Sequence, residues 1–165
     1  MRGLHLTVLA GAGALGLHGA AAAAPLTRTQ PALTEAGARS ILEAAEQLSA
    51  GAKDPAALAV VDSDGRLMAF VRMDEARPGS VDLALGKARS AALMRRPTEE
   101  LEENVAAGRT ALATSGLTAL RGGAPIWVDG VVIGAVGVAG LKKEDDERTA
   151  TAISAKFGPG PNVEP

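Results

Sequence analysis

R-G-G-A-P-I-W-V-D-G-V-V-I-G-A-V-G-V-A-G, residues 121–140, decides the reading of this 165-residue chain. Two apolar runs, Ile126–Val128 and Val131–Val138, flank Asp129-Gly130. Asp-Gly supplies the two positive-φ positions of a two-residue hairpin turn, so the stretch predicts two antiparallel strands. Upstream, Ala57–Asp62 and Arg66–Met73 repeat the pattern around Ser63-Asp64-Gly65. The second of these strands alternates only weakly, which predicts partial cover on both of its faces. Hairpins can pair neighbouring strands directly, so the sheet is expected to be largely antiparallel with helices packed on its faces.

Working outward, Ile41, Leu42, Ala45 and Leu48 recur at helical spacing after Thr34, and Gly51 is a stop. Pro78-Gly79-Ser80 breaks the chain, with Ser80 expected as the N-cap of a helix running to about Met94. Its apolar stripe is Val81, Ala84, Leu85, Ala88, Ala91 and Ala92, which leaves Asp82, Lys87 and Arg89 outside. Pro97 and Thr98 open a shorter helix with Glu99 and Glu100 in its first turn, and Gly108 ends it. Leu117–Leu120 takes the place of a third strand before the Asp129-Gly130 hairpin, and Glu144–Phe157 closes the chain as a helix. The order is α-β-β-α-α-β-β-β-α: a single α+β domain over 33–157 with a five-stranded antiparallel sheet. A flexible lead-in over 24–32 precedes it, and 158–165 is expected to be a disordered tail.

The first 23 residues follow a different grammar. Arg2 is a positive n-region, Leu4–Leu17 an apolar stretch too short to span a bilayer, and Ala20–Ala24 a run of small residues. This predicts a cleaved signal peptide over 1–23, with a membrane anchor as the alternative, and hence a periplasmic or extracellular protein. Removing Arg2 takes one more positive charge from a chain whose net charge is −2. No basic surplus remains to neutralise phosphates, which argues against nucleic acid as a partner. The chain has no cysteine, and its two histidines, His5 and His18, both lie in the leader. The expected mature protein thus lacks the usual nucleophile–base pairs, the common zinc ligands and the commonest haem ligands. A conventional side-chain active site is not expected.

Several motifs read more simply than they look. Val60–Gly65, V-V-D-S-D-G, lacks the further oxygen ligands of a calcium loop and reads as a turn. The glycines of Gly134–Gly140 are spaced by three and end a strand, unlike a dinucleotide fingerprint, and read first as close packing. Glu144–Glu147, E-D-D-E, suits a helix N-terminus, with weak binding of a hard cation as the alternative. Arg95-Arg96 either favours a helix C-terminus or grips a carboxylate. Met68, Met73 and Met94 read as core filler before thioether ligands.

Five segments in order resemble the GlcG/HbpS family: A-V-V-D-S-D-G-R-L-M-A-F-V-R-M-D (59–74), K-A-R-S-A-A (87–92), R-P-T (96–98), G-R-T-A-L (108–112) and residues 121–140. The resemblance implies a profilin-like fold with a five-stranded sheet, self-assembly of dimers into octamers, and haem as cofactor or cargo. It further implies that the Thr110 hydroxyl approaches the haem iron, a weak oxygen ligand suited to loose holding. Arg109, Arg95 and Arg96 are then candidates for the propionates, Gly122 and Gly123 complete the haem-binding set, and Asp146-Glu147 is expected to take surface iron weakly. On this resemblance the function is an exported haem or iron carrier, scavenger or accessory of a membrane sensor. The alternatives are an enzyme of haem breakdown or of glycolate-type metabolism, and a non-catalytic assembly module.

Overall fold

The computed structural model describes residues 26–158 and 160. Helix α1, Glu35–Ser49, starts where Thr34 accepts a hydrogen bond on its side chain from the Gly37 N–H at 3.1 Å. Strands β1, Ala57–Asp62, and β2, Leu67–Arg72, form the first hairpin. Its turn is organised by Asp62, whose Oδ1 accepts from the Asp64 and Arg66 N–H groups, so the acidic turn is spent on its own backbone. Helices α2, Gly79–Met94, and α3, Thr98–Ala106, follow, then a 3-10 turn over Thr110–Thr114. Strands β3, Gly123–Val128, and β4, Val131–Ala139, make the second hairpin, and α4, Lys143–Phe157, closes the domain. Asp129 and Gly130 both take positive φ at 50° and 74°, as the hairpin reading requires.

The sheet is antiparallel throughout, in the order β2-β1-β4-β3. It has four strands where five were expected. Leu117–Leu120 does not pair: the Thr118 N–H donates to the Ser90 hydroxyl, and the Leu120 carbonyl accepts from the Thr98 hydroxyl. Side chains of α2 and α3 satisfy this backbone, so it lies against the helices instead of extending the sheet. Among the described residues no helix is long and apolar enough to cross a membrane. The signal-peptide reading falls on residues outside those described.

Both sheet faces are buried, with side chains of different size. Leu58, Val60, Ile126, Val136 and Val138 pack with α1 and α4, through Ile41 and Ile153. Ala57, Ala59, Val61, Ala135 and Ala139 meet Ala84, Ala88, Ala91 and Ala92 of α2. β1 therefore alternates by partner and not by polarity, which is why its sequence reads as unbroken apolar. Met68 and Met73 pack against the first cluster as filler. The helix of the second cluster sits unusually close: a Cβ on Gly137 would lie 2.1 Å from the Ala84 carbonyl oxygen and 2.6 Å from the Ala88 nitrogen. Gly137 thus lets α2 dock closely on β4.

Two local expectations are corrected. α2 begins two residues earlier, at Gly79, with Pro78 in the cap position and no side-chain cap, so Ser80 is inside the helix and buried. Gly158, expected in a loose tail, accepts a hydrogen bond from the Trp127 N–H at 3.2 Å. The remaining tail residues fall largely outside those described.

Gly137→Ala should destabilise the domain by about 1–3 kcal/mol through overpacking between β4 and α2. Gly51→Ala, where a Cβ meets nothing within 4 Å, should stay within about 0.5 kcal/mol. Urea unfolding of both variants checks the contrast.

Candidate functional site

Helical spacing on α2 and α4 places two charges where apolar residues would be expected. Lys87 lies three residues after Ala84 and four before Ala91, inside the buried arc of α2. Asp146 shares the buried face of α4 with Thr149, Ala150 and Ile153. The two side chains are 5% and 6% exposed, and Lys87 Nζ donates to Asp146 Oδ2 at 2.8 Å. Nζ also donates to the Val138 carbonyl at 2.9 Å, while Asp146 Oδ1 accepts from the Leu141 N–H at 3.0 Å. Burial raises the Asp146 pKa above the usual carboxylate value, and Lys87 opposes that rise. Lys87 was expected outside the stripe because of its residue type; its spacing carried the signal that placed it within.

This pair overturns the reading of Asp146 as a surface iron ligand, since both of its oxygens are engaged in the interior. Glu147, its neighbour, is half-buried and accepts from Arg121 at 2.9 Å. Arg121 also reaches Glu99 at 3.5 Å and pairs with Glu102, so one guanidinium gathers carboxylates from α3 and α4. A hydrogen bond to Glu147, with burial second, raises the Glu99 pKa above the usual carboxylate value, and Arg121 opposes that rise. Among the described residues no group of three or more acidic, histidine or cysteine side chains is arranged to hold a metal.

Gly122 and Gly123, expected to contact haem, are buried. A Cβ on Gly122 would lie 2.8 Å from the Asp146 Cβ and 3.0 Å from Lys87 Nζ; one on Gly123 would lie 2.5 Å from the Lys87 carbonyl oxygen. Close packing around the ion pair accounts for both. Thr98, also buried, donates to the Leu120 carbonyl at 2.7 Å and accepts from the Gly123 N–H at 2.9 Å, tying α3 to the same corner. Sequence reading took this threonine as a helix opener and as part of the R-P-T segment, and gave its hydroxyl no role.

The remaining expected residues lie apart. Thr110 is exposed at the start of the 3-10 turn, and its hydroxyl has no hydrogen-bond partner among the described residues. Arg109 precedes it and donates to the Asn104 side chain at 3.3 Å. Arg95, left-handed at φ 53°, ends α2 and lines a cleft of about 220 Å³ with Trp127 and Gly130. Neither Arg109 nor Thr110 lines that cleft. Arg96 pairs with Glu100 at 3.2 Å.

A second cleft, of about 210 Å³, opens directly over the buried pair. Ser80 and Lys87 of α2, Glu102 of α3, and Lys143 and Asp146 of α4 border it, with Leu83, Leu120 and Leu141 as apolar wall.

Comparison with known proteins agrees with this architecture. Residues 33–155 match the family described as haem degrading protein HbpS-like. Protein GlcG of Escherichia coli K12 is 42% identical over 112 residues, covering 67% of this chain and 84% of GlcG. The crystal structure of a double mutant of Streptomyces reticuli HbpS superposes with a TM-score of 0.72 at 32% identity, covering 84% of this chain and 99% of that one. A PduOC–haem complex superposes with a TM-score of 0.68 at 28% identity, over 76% of this chain and 94% of its own.

The raised Glu99 pKa sets a pH dependence. The folded chain holds the Glu99 proton more tightly than the unfolded chain does. The resulting stability is present below the ordinary value of 4.5 and is lost as pH rises through it toward the raised folded value. Thermal stability of the native chain should therefore fall over this interval. Glu99→Gln, which does not titrate, should make the fall shallower; melting curves from pH 4 upward check it, and an unchanged slope would refute the raised Glu99 pKa.

Proposed function

The chain belongs to the HbpS-like family, and from that premise we propose that it is a haem-binding protein that works outside the cytoplasm as a carrier, scavenger or sensor accessory. The observation that carries the reading is the family match over almost the whole described domain, with a haem complex among its structural relatives at 28% identity. Export is supported by the leader grammar of residues 1–23, which leaves the working chain without histidine or cysteine.

The donor set fits loose holding of haem at a surface. Thr110 offers an exposed, unpartnered hydroxyl, and Arg109, one residue away, offers a guanidinium whose fork matches a propionate carboxylate. Arg95 and Arg96 are further propionate candidates at the other end of α3. The clefts at Arg95 and over Lys87, at about 220 and 210 Å³, fall below the roughly 300–1,000 Å³ typical of enclosed ligand sites. Haem held by Thr110 and Arg109 would lie at the exposed 3-10 turn, outside both of these clefts. Haem bound there would supply an iron centre. The chain's own part is to place a neutral oxygen donor and a positive charge beside it, which gives reversible holding. Self-assembly from dimer to octamer and a membrane sensor partner belong to the same reading and rest on the resemblance.

A second reading, oxidative haem breakdown, is favoured by the family's own description as haem degrading. Without histidine or cysteine in the described residues, proton transfer would fall to Asp, Glu, Lys or Arg with shifted pKa values.

Hemin titration of the purified chain separates these readings. The expected result is a saturable Soret shift that Thr110→Ala weakens, with the fold intact because Thr110 is exposed. No shift, or one identical in Thr110→Ala, overturns the assignment of Thr110. Multiple-turnover loss of the Soret band with peroxide or a reductant, absent in a boiled control, selects the enzyme reading over the carrier.

A further inference from the structure

The cleft of about 220 Å³ lies at the end of the sheet opposite the Lys87–Asp146 pair, where both hairpin turns and the C-terminus of α2 meet. Asp64 of the first turn, Gly130 of the second and Arg95 of α2 line it, with Arg28 from the segment before α1. Two departures from regular structure fall on its walls. Arg95 takes φ 53° and ψ 41°, the left-handed helix cap where glycine is the usual residue because a side chain is strained there. An arginine kept at such a position points to a role for its guanidinium. In the second hairpin the register shifts between Ile126 and Trp127, so that Trp127 pairs with Val132. A bulge of this kind redirects side chains, and both of these residues line the cleft.

Trp127 is the chain's one tryptophan, and it is half-buried. Its N–H donates to the Gly158 carbonyl, and a Cβ on Gly160 would lie 3.1 Å from its Nε1, so the chain after α4 steadies the ring beside the cleft. Charge of both signs borders the same space. Arg28, Arg95 and Asp64 form no ion pair among the described residues. Gln30 turns its amide oxygen to the Arg28 guanidinium, a contact that leaves the charge in place. The negative end of the α2 dipole adds to Asp64. A simple anion or a simple cation meets repulsion from part of this wall, whereas a zwitterion finds a partner for each of its charges. At about 220 Å³ the cleft holds about seven water-sized groups of roughly 30 Å³ each, the scale of a small aliphatic amino acid.

We propose that this cleft binds a free α-amino acid with an aliphatic side chain. The Arg95 guanidinium takes the carboxylate in its fork and Arg28 adds charge beside it, while the Asp64 carboxylate accepts from the ammonium. Trp127, Val131 and Val132 cover the aliphatic part. The site goes beyond the haem reading. Thr110 and Arg109 do not line it, and Arg95 is assigned here to a ligand other than a propionate.

L-Leucine is the probe and Trp127 the reporter, since no other tryptophan contributes to the emission. Leucine is expected to change the fluorescence saturably at millimolar concentration, because every charge that grips it is exposed and each contact is weak. Isocaproate, which lacks the ammonium, and isoamylamine, which lacks the carboxylate, should each bind several-fold more weakly. Arg95→Gln and Asp64→Asn should each weaken leucine binding about three- to fivefold, the size of one exposed charge contact. Arg95→Gly, which relieves the left-handed strain, should weaken it equally with no fall in melting temperature. The proposal is overturned if leucine leaves the Trp127 emission unchanged, if either control binds as leucine does, or if any of the three variants binds leucine as the native chain does.

Discussion

A lysine and an aspartate shut away from water hold the corner of this domain where three elements meet. Lys87 comes from α2 on one face of the sheet, Asp146 from α4 on the other, and the Val138 carbonyl from the end of β4 between them. Such a pair gives little net stability, because desolvation offsets most of the attraction. What it does impose is geometry. Both charges and their leftover polar contacts are satisfied together where α2 and α4 meet the end of β4. Gly122 and Gly123 lie against this pair with no room for side chains, and Asp146 fixes the Leu141 N–H at the entry to α4. The segment that opens β3 and the helix that follows β4 are thereby set from one point.

The candidate sites follow from this closure. Alanines and Gly137 let α2 lie flat on β1 and β4, which brings its first turn beside the first turn of α4 and leaves a cleft over the pair. Larger residues on the opposite face provide most of the buried hydrophobic volume through α1 and α4. The long connection from β2 to β3 carries α2, α3 and the 3-10 turn, and it presents Thr110 to solvent. Rigid layers thus hold an exposed turn, an arrangement suited to a ligand held loosely at the surface.

Much of the architecture was legible in the chain because local chemistry agreed with tertiary need. Asp129-Gly130 could hardly be anything but a hairpin turn, and Thr34 capped the helix that its spacing announced. Failures came where a residue's type argued against its position. Lys87 and Asp146 occupy buried arcs by spacing, yet charge suggested the outside. Ser80 has the chemistry of a cap but sits one residue inside the helix. Leu117–Leu120 has strand composition, but its polar backbone is satisfied by Ser90 and Thr98, a long-range pairing that no local pattern encodes. The family resemblance marked Thr110 and the arginines, and it could not say that Arg95 and Arg109 line different surfaces.

A double-mutant cycle on the buried pair, measured by urea unfolding at neutral pH, goes to the centre of this account. Lys87→Met leaves a carboxyl without its cation, Asp146→Asn leaves a cation without its carboxylate, and the double variant leaves no charge. Mutual dependence predicts that the double variant costs at least about 1 kcal/mol less than the two single costs added together. Additivity within about 0.5 kcal/mol would mean that the two side chains do not depend on each other, and that the corner is held by something else.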